Sequence, residues 1–422
     1  MILSHRFSLS VLLAVLLTAL TGCKSNTMSD EPEPVVEEPG VTLRLALDMG
    51  MQADSRAEAP DYFQNPESEF EEVQTLRVII VKGYAQDGQE NEIEANKLVN
   101  TFANGTPVND NLEFRVSTGS KRIYLIANEA SLPVPAGLNY PNTTAFLDSY
   151  LVKDEFTPTV FHDWIVSLPG SNPAATQSLY SNVNGATSLP MTEFFDIAVG
   201  ADEETLQYDE TQTVHLFMTR AAAKATFNVE IADDYSGTGV NITGIRLNGL
   251  NWQQWVFPRN TDYNVSKYPV VFTPGKPSGS VATTDRYITE FETPQRVNGV
   301  TGANITLTPA NPIPVAAASK ALVGPVYFPE SLMPATLASN ANARFSVQVE
   351  LDGDGNWLDA QMLGEDKGNI QLVNGCQALA RNNWLKVNIS MSAQKQITAR
   401  VQVVPYIGVP LKPWFGLPED EE

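Results

Sequence analysis

The sequence contains few cysteines and few histidines. Of its 422 residues, two are cysteines, Cys23 and Cys376, and three are histidines. Beyond the N-terminal segment the histidines are His162 and His215, each set among apolar or aromatic neighbours. A histidine-rich metal site is therefore not expected, and neither is a catalytic triad that depends on histidine.

Basic residues are also scarce. The chain has 27 lysines and arginines against 49 aspartates and glutamates, which gives a net charge of −22. Nucleic-acid binding needs clustered lysine and arginine side chains to neutralise phosphates, and no such cluster is present. We therefore expect no nucleic acid partner, and we expect an acidic surface of the kind that keeps an exported protein soluble.

One long apolar run is present, and it lies near the N-terminus. Residues 9–20 form this run, with Arg6 before it and Leu20-Thr-Gly-Cys23 at its end. A charged start, an apolar stretch and small residues before a cut are typical of a secretory signal. The run is shorter than the ~20 residues that span a bilayer. An ordinary signal peptide and a short membrane anchor are the alternative interpretations.

The cysteine at the cut resembles the lipobox of bacterial lipoproteins. The resemblance implies a signal peptide over residues 1–22, removed before Cys23, and a lipid on that cysteine. Residues 23–40 are rich in serine, proline, glutamate and aspartate and are predicted to be an acidic flexible spacer. If Cys23 carries lipid, Cys376 has no partner for an intrachain disulfide, and its apolar neighbours indicate a buried thiol.

Alternating apolar residues predict an all-β protein. Residues 41–49 place an apolar side chain at every second position, which is typical of a strand with one face on a core. Similar patterns predict strands over residues 76–81, 112–116, 122–128, 211–218, 223–231, 240–247, 343–351, 384–389 and 397–403. We predict two β-sandwiches, over residues 41–219 and 220–422, with a short helix near residues 144–151 that Asn142 or Thr143 caps.

No motif in the chain indicates catalysis. The segment Asp352-Gly-Asp-Gly-Asn356 follows an alternating strand and predicts a hairpin, because a calcium loop would need an acidic twelfth residue where Leu363 stands. No nucleophile with a base, no phosphate loop and no metal-ligand cluster is recognisable. The sequence therefore predicts neither an enzyme nor a bound cofactor or metal.

Several segments, in their order along the chain, resemble a known family. After the lipobox, the spacer and the first strand come Ser55-Arg-Ala57, Arg77-Val-Ile-Ile-Val81, Gly119-Ser-Lys-Arg-Ile-Tyr-Leu-Ile-Ala-Asn128, Thr219-Arg-Ala-Ala-Ala-Lys224, Pro325-Val-Tyr-Phe-Pro-Glu330 and Arg381-Asn-Asn-Trp-Leu-Lys-Val-Asn388. From Cys23 to about Phe415 the chain resembles the Bacteroidales fimbrillins, the lipoprotein-derived type V pilins. The resemblance implies two tandem transthyretin-like sandwiches with Greek-key connections, and export as a lipoprotein precursor to the outer membrane.

The resemblance also implies a mode of assembly. An arginine-specific protease cuts after the first strand, here between Arg56 and Ala57, and that strand leaves with the lipid. A strand of another pilin subunit fills the groove that opens. The groove residues would be Val41, Leu43, Leu45 and Leu47, and the candidate donor residues are Ile407, Val409 and Leu411.

The donor segment departs from an ideal strand. Pro405, Pro410 and Pro413 each lack the N–H that a β-ladder needs, so the segment is expected to be an edge-type or interrupted strand at most.

Several roles stay open from the sequence. A stalk subunit, a tip subunit, a pilus anchor that keeps its lipid and first strand, and a glycan-binding surface lipoprotein all fit. For the last, Trp252 and Trp255 could be stacking platforms or core residues. The surface ligand, on a host or another bacterium, cannot be named.

Overall fold

The computed structural model describes much of the chain after residue 40, in separate ranges. These are residues 41–44, 46–47, 68–82, 92–100, 102–103, 106–107, 113–170, 174–181, 185–199, 216–235, 239–259, 302–332, 345–366, 369–372, 378–379, 381–392, 397–405 and 409–412. All of them belong to one unit, Pro39–Glu422.

The elements are mostly short strands. The strands are β1 Val41–Arg44, β2 Ala46–Leu47, β3 Leu76–Lys82, β4 Glu92–Val99, β5 Phe102–Ala103, β6 Thr106–Pro107, β7 Glu113–Val116, β8 Gly119–Ala127, β9 Ile165–Ser167, β10 Ala174–Ala175, β11 Met191–Val199, β12 Leu216–Arg220, β13 Ala223–Ile231, β14 Asn241–Leu250, β15 Gln253–Trp255, β16 Ala303–Leu307, β17 Ile313–Pro314, β18 Lys320–Phe328, β19 Ser331–Leu332, β20 Ser346–Leu351, β21 Trp357–Asp359, β22 Gln361–Asp366, β23 Asn369–Leu372, β24 Ala378–Leu379, β25 Asn383–Met391, β26 Ile397–Pro405 and β27 Val409–Lys412. The helices are α1 Thr143–Asp148 and α2 Pro158–His162, with 3-10 turns at Glu69–Glu71 and Glu129–Ser131. The predicted all-β class is confirmed.

A seven-stranded sheet dominates the first half of the chain. Its order is β2-β27-β12-β11-β8-β3-β4. Strands β3 and β8 lie inside this sheet, and the side chains of Val78, Ile80, Ile123 and Leu125 are fully buried. Their nearly continuous apolar sequences suit strands that are covered on both faces.

Two six-stranded sheets form most of the second half. One has the order β10-β16-β14-β20-β21, with β17 beside β14, and the other has the order β18-β13-β25-β26-β22-β23. Phe227, Val229 and Ile231 alternate along β13 and all enter the core. Strand β12 and strand β13 belong to different sheets. The division into two domains at residues 219–220 stays a prediction.

Local sequence signals are confirmed at a helix and a hairpin. Asn142 precedes α1 and its side-chain oxygen accepts a hydrogen bond from the Ala145 N–H at 2.8 Å, as expected of an N-cap. Strand β20 pairs with β21 across the Asp352–Asn356 turn. Asp352 and Gly353 have positive φ there, a conformation that aspartate tolerates and glycine adopts freely.

The described part of the predicted first strand has two different partners. Residues 45, 48 and 49 of the predicted range 41–49 lie outside the described residues, and within it β1 pairs with β7 whereas β2 pairs with β27. Period-2 alternation shows that a segment is extended and says nothing about its partners, so one pattern can serve two sheets.

Strands and buried polar contacts connect the two halves of the chain. Strand β9 pairs with β15, and β10 pairs with β16. The Lys224 Nζ donates to Glu71 Oε1 at 2.5 Å and lies 4.4 Å from the centre of the Trp384 ring. The Tyr327 hydroxyl donates to the same Glu71 oxygen at 2.7 Å. Burial disfavours the charged form of Glu71, but its hydrogen bond to Lys224 and the charges of Lys224 and Arg220 outweigh this and lower its pKa.

The Glu71–Lys224 pair yields a test of how firmly the halves are joined. Lys224→Met should lower the free energy of unfolding by about 3 kcal/mol, because it leaves a buried carboxylate without its cation. Lys320→Met is the matched control, since its partner Glu230 and Lys320 itself are both well exposed; it should cost less than about 1 kcal/mol. Urea unfolding measures both free energies. Equal losses in the two variants would contradict the interpretation that the buried Glu71–Lys224 pair stabilises the contact between the halves.

Candidate assembly site

Strand β2, from the start of the described residues, and β27, the last described strand, lie side by side at one edge of the seven-stranded sheet. Strand β27 lies between β2 and β12 and runs antiparallel to both. On one side its residues 409, 410 and 411 face Met218, Phe217 and Leu216. On the other side Leu411 faces Leu47 and Lys412 faces Ala46. The C-terminal strand is thus part of a sheet formed mainly by the first half of the chain.

Pro410 of β27 has a described strand partner on one side only, in β12. Pro410 faces Phe217 of β12, and the pairing with β2 begins only at Leu411. Because proline has no N–H, it can lie in a strand only where no partner needs that donor. The short, staggered pairing is consistent with the interrupted strand that the prolines predicted.

Strand β1 belongs to a different sheet from β2. It pairs with β7 over four residues, with Leu43 opposite Phe114. Leu43 is 2 % exposed and Phe114 is 5 % exposed, so this part of the first strand is in the core. Removing the first strand would therefore take a buried side chain from one sheet and a backbone partner from β27.

Some predicted site residues lie within the described ranges and others do not. Val41, Leu43 and Leu47 are in β1 and β2, and Val409 and Leu411 are in β27. The register places Leu47, Leu411 and Leu216 in one row across three strands. Cys23, Leu45, Arg56, Ala57, Cys376 and Ile407 are outside the described residues.

A buried carboxyl lies two strands from the tail. Glu193 is on β11, next to β12, and is 3 % exposed. Its oxygens accept long hydrogen bonds, from the Phe194 N–H at 3.3 Å and the Thr219 hydroxyl at 3.4 Å. Burial raises the pKa of Glu193 to about 8, although the charge of Arg381 opposes this. The sequence offered no signal for this residue, because an acidic residue in an alternating strand is usually exposed.

Arg381 itself is held by a closer carboxylate. Its Nε donates to Glu330 Oε2 at 2.9 Å, and its Nη1 donates to the Val256 carbonyl at 2.8 Å. Arg77 is similarly paired with Glu129 at 2.6 Å and with Asp148 at 2.7 Å. Arg77, Arg220 and Arg381 are all 1–2 % exposed. The clusters of charge in the described core are therefore ion pairs that support packing.

The tryptophans considered as stacking platforms are occupied by protein. Trp252 is buried at 8 % exposure. The Arg259 guanidinium carbon lies 3.3 Å from the centre of the Trp255 ring, and Arg259 also pairs with Asp163 at 2.9 Å. Trp252 is therefore not available for stacking, and Arg259 covers one face of Trp255.

The described residues contain no other recognisable chemical centre. No group of three or more histidine, cysteine, aspartate or glutamate side chains among them could hold a metal ion. None of the helices found there is long and apolar enough to cross a bilayer.

Comparison with known proteins gives structural matches only. No protein-family model matches the chain, and no curated protein matches it. A fimbrilin from Porphyromonas gingivalis W83 shares 16 % identity over 89 % of this chain and 99 % of its own, with a TM-score of 0.44. The tip fimbrial protein Mfa3 from P. gingivalis, with a C-terminal truncation, shares 12 % identity over 87 % and 98 %, at 0.43. A fimbrial assembly protein from Parabacteroides distasonis shares 9 % over 87 % and 98 %, at 0.33. These neighbours are fimbrial proteins, the class that the sequence resembles.

The raised pKa of Glu193 predicts a dependence of stability on pH. The folded carboxyl titrates near pH 8 and the unfolded one near pH 4.5, so the unfolded chain alone loses the proton between these values. Stability must therefore fall as the pH rises through this window, by up to about 1.4 kcal/mol per pH unit. Glu193→Gln keeps the neutral form and should be more stable than the wild type by about 4 kcal/mol at pH 7.5, but equal to it near pH 4.

Thermal and urea unfolding across pH 4–8 measure this difference. The exposed Glu230→Gln is the control and should track the wild type. Parallel curves for the wild type and Glu193→Gln would show that Glu193 is ionised in the folded protein.

Proposed function

We propose that this protein is a structural subunit of a cell-surface fimbria that serves adhesion. It is exported as a lipoprotein precursor, and its polymer forms by protease-triggered strand exchange between subunits. One observation carries the proposal: the C-terminal strand β27 is a member of the sheet that also contains β2, the second segment of the first strand. The subunit itself has no catalytic role, and its partners are other pilin subunits.

Strand exchange requires that the tail can pair with the first half of the chain. In the structure it does so, through the backbone of β12 and β2. After the first strand has left, the same segment of a neighbouring subunit could make the same pairs with β12, because main-chain hydrogen bonds do not depend on which copy supplies the strand. Donation in one direction is a head-to-tail contact, and such contacts generate open filaments.

The first strand is the piece that must leave. Val41, Leu43, Leu45 and Leu47 would each vacate a place in the groove, and burying such side chains stabilises by ~1.5–3 kcal/mol apiece. Leu43 is the described example of such a buried side chain. A donor that refills these places could hold subunits together without covalent bonds.

Several of the other arginines are protected from proteolysis in the described part of the chain. Arg77, Arg220 and Arg381 are buried, and the backbone of Arg115 is paired in the β1–β7 ladder. A protease needs an exposed, extended backbone, so these sites are protected in the folded chain. We propose that an arginine-specific protease cuts between Arg56 and Ala57.

Location follows from the lipid. Cys23 would attach the precursor to the outer membrane, and cutting at Arg56 would free the mature subunit into an extracellular fimbrium. An anchor subunit would instead keep both lipid and first strand. The covered faces of Trp252 and Trp255 make a glycan-binding lipoprotein the weaker alternative.

Lipid attachment can be tested directly. Cys23→Ala should abolish incorporation of labelled fatty acid into the precursor, since no other residue of the signal region can carry the thioether. Cys376→Ala is the matched control and should label like the wild type. Persistent labelling of Cys23→Ala would refute the lipoprotein assignment.

Cleavage can be tested by N-terminal sequencing of the mature protein from cells. We expect the mature chain to begin at Ala57 and Arg56→Ala to accumulate as an uncut precursor without fibres. Arg115→Ala, a change on an exposed strand residue, should be processed normally. A first cut at Arg44 would count against the scheme, because Arg44 lies in the paired strand β1.

Donation by the tail can be tested by truncation. Deleting residues 406–422 should permit export and folding but abolish fibres in electron micrographs. Val409→Asp should act similarly, because a lone carboxylate is expensive to bury in a sheet edge. Val152→Asp is the matched control, as Val152 is 50 % exposed. Normal fibres from the truncated chain would show that the donor lies elsewhere.

A further inference from the structure

The position of β27 suggests how the donor strand is controlled. We propose that excision of the first strand also releases the chain's own C-terminal strand, so that one cut creates both the vacant groove and the free donor. The inference rests on the proposed function and concerns its regulation. The observation behind it is the position of β27 in the sheet, with β2 on one side and β12 on the other.

The ladder of β27 is too short to be secure on one side alone. Toward β12 it consists of residues 409–411, and the middle one, Pro410, has no N–H to donate. Toward β2 it consists of Leu411 and Lys412. Among the described residues, Lys412 is paired with Ala46 only. Counting the described residues alone, β27 without β2 becomes an edge strand with three paired residues, one of them proline, and Lys412 loses its ladder partner.

Release of β27 need not disturb the rest of the chain. The strand before it, β26, pairs with β25 over nine residue pairs and belongs to a sheet of the second half. The first strand is held separately, through β1 on β7 and β2 on β27. Cutting after residue 56 thus removes one of the two partners of β27 and leaves the long ladder of β26 intact.

The same arrangement would keep the precursor inert. While β2 is present, the tail is held between two strands of its own chain and cannot pair with another subunit. Assembly before processing is prevented at the donor as well as at the acceptor. A single proteolytic event then activates both surfaces of the same subunit.

Hydrogen exchange measured by mass spectrometry tests this in the full chain. The uncut precursor is compared with protein cut by an arginine-specific protease and separated from the 23–56 fragment, both kept monomeric at low concentration. Exchange of the amides of residues 409, 411 and 412 should be about tenfold faster or more after the cut, the factor expected from losing one or two net hydrogen bonds. Exchange across residues 397–405 should be unchanged.

A variant pair separates release from general loosening. Leu47→Pro disrupts the β2–β27 pairing without a cut, and the uncut variant should exchange at residues 409–412 as fast as the cut protein. Thr42→Pro is the matched control: it breaks only the β1–β7 pairing and should leave the tail protected. Equal protection of the tail before and after the cut would overturn the inference. So would equal exposure in both proline variants.

These measurements are independent of fibre formation. If truncation of the tail abolishes fibres but the cut leaves tail exchange unchanged, the proposed function stands and this regulation is wrong. If the cut exposes the tail but the truncated chain still forms fibres, the release is real and the donor role of the tail fails.

Discussion

The open backbone edge of β12 is the constraint on which the arrangement of the chain ends depends. Residues 216–218 need a strand partner on the side away from β11, and β27 supplies it. An unpaired edge recruits any compatible strand, including one from another molecule. Under the proposed function, a chain that covers this edge with its own last strand stays monomeric, and a chain that exchanges that strand forms a polymer.

The rest of the molecule is joined in a way that limits exchange to the ends. Strand pairings connect the two halves, and the Glu71–Lys224 ion pair and Arg381–Glu330 ion pair are buried. Removing one member of such a pair costs far more than the pair itself contributes, so these contacts keep one arrangement. By contrast, β2 and β27 are held mainly by short ladders, which are the least costly elements to move.

The sequence predicted β3, β8, β13 and the local turns well, because their signals are local, but it missed β11, the middle strand of the seven-stranded sheet. The apolar run of β3, the cap at Asn142 and the Asp-Gly turn after β20 all act over a few residues. Strand β4 was missed, since its sequence Glu92–Val99 has no clear alternation and is only half-buried. Strand β18 was missed because Gly324 and Pro325 interrupt it at a bulge opposite Thr226.

The sequence predicted the two strands of the candidate site but not that they pair with each other. Alternation at Val409 and Leu411 indicates a strand, and so does alternation from Val41 to Leu47. Neither pattern reveals that the two strands lie side by side, because the partner of a strand is set by long-range register and by which edges are open. The buried Glu193 was missed for a related reason, since its burial depends on what packs over β11.

The prolines of the tail acquire a physical role in this setting. A donor strand that exchanges must pair stably with its own chain before the cut. It must also pair weakly enough to dissociate once the first strand has been removed. Pro410 has no N–H, the described pairing with β12 covers only residues 409–411, and the described pairing with β2 adds a second partner strand at residues 411–412 in the uncut chain. A regular strand without proline would stay paired with β12 whether or not β2 is present. The cut would then change the protection of the tail very little. In the proposed mechanism, this departure from an ideal strand sequence is the feature that allows the first strand to control the tail.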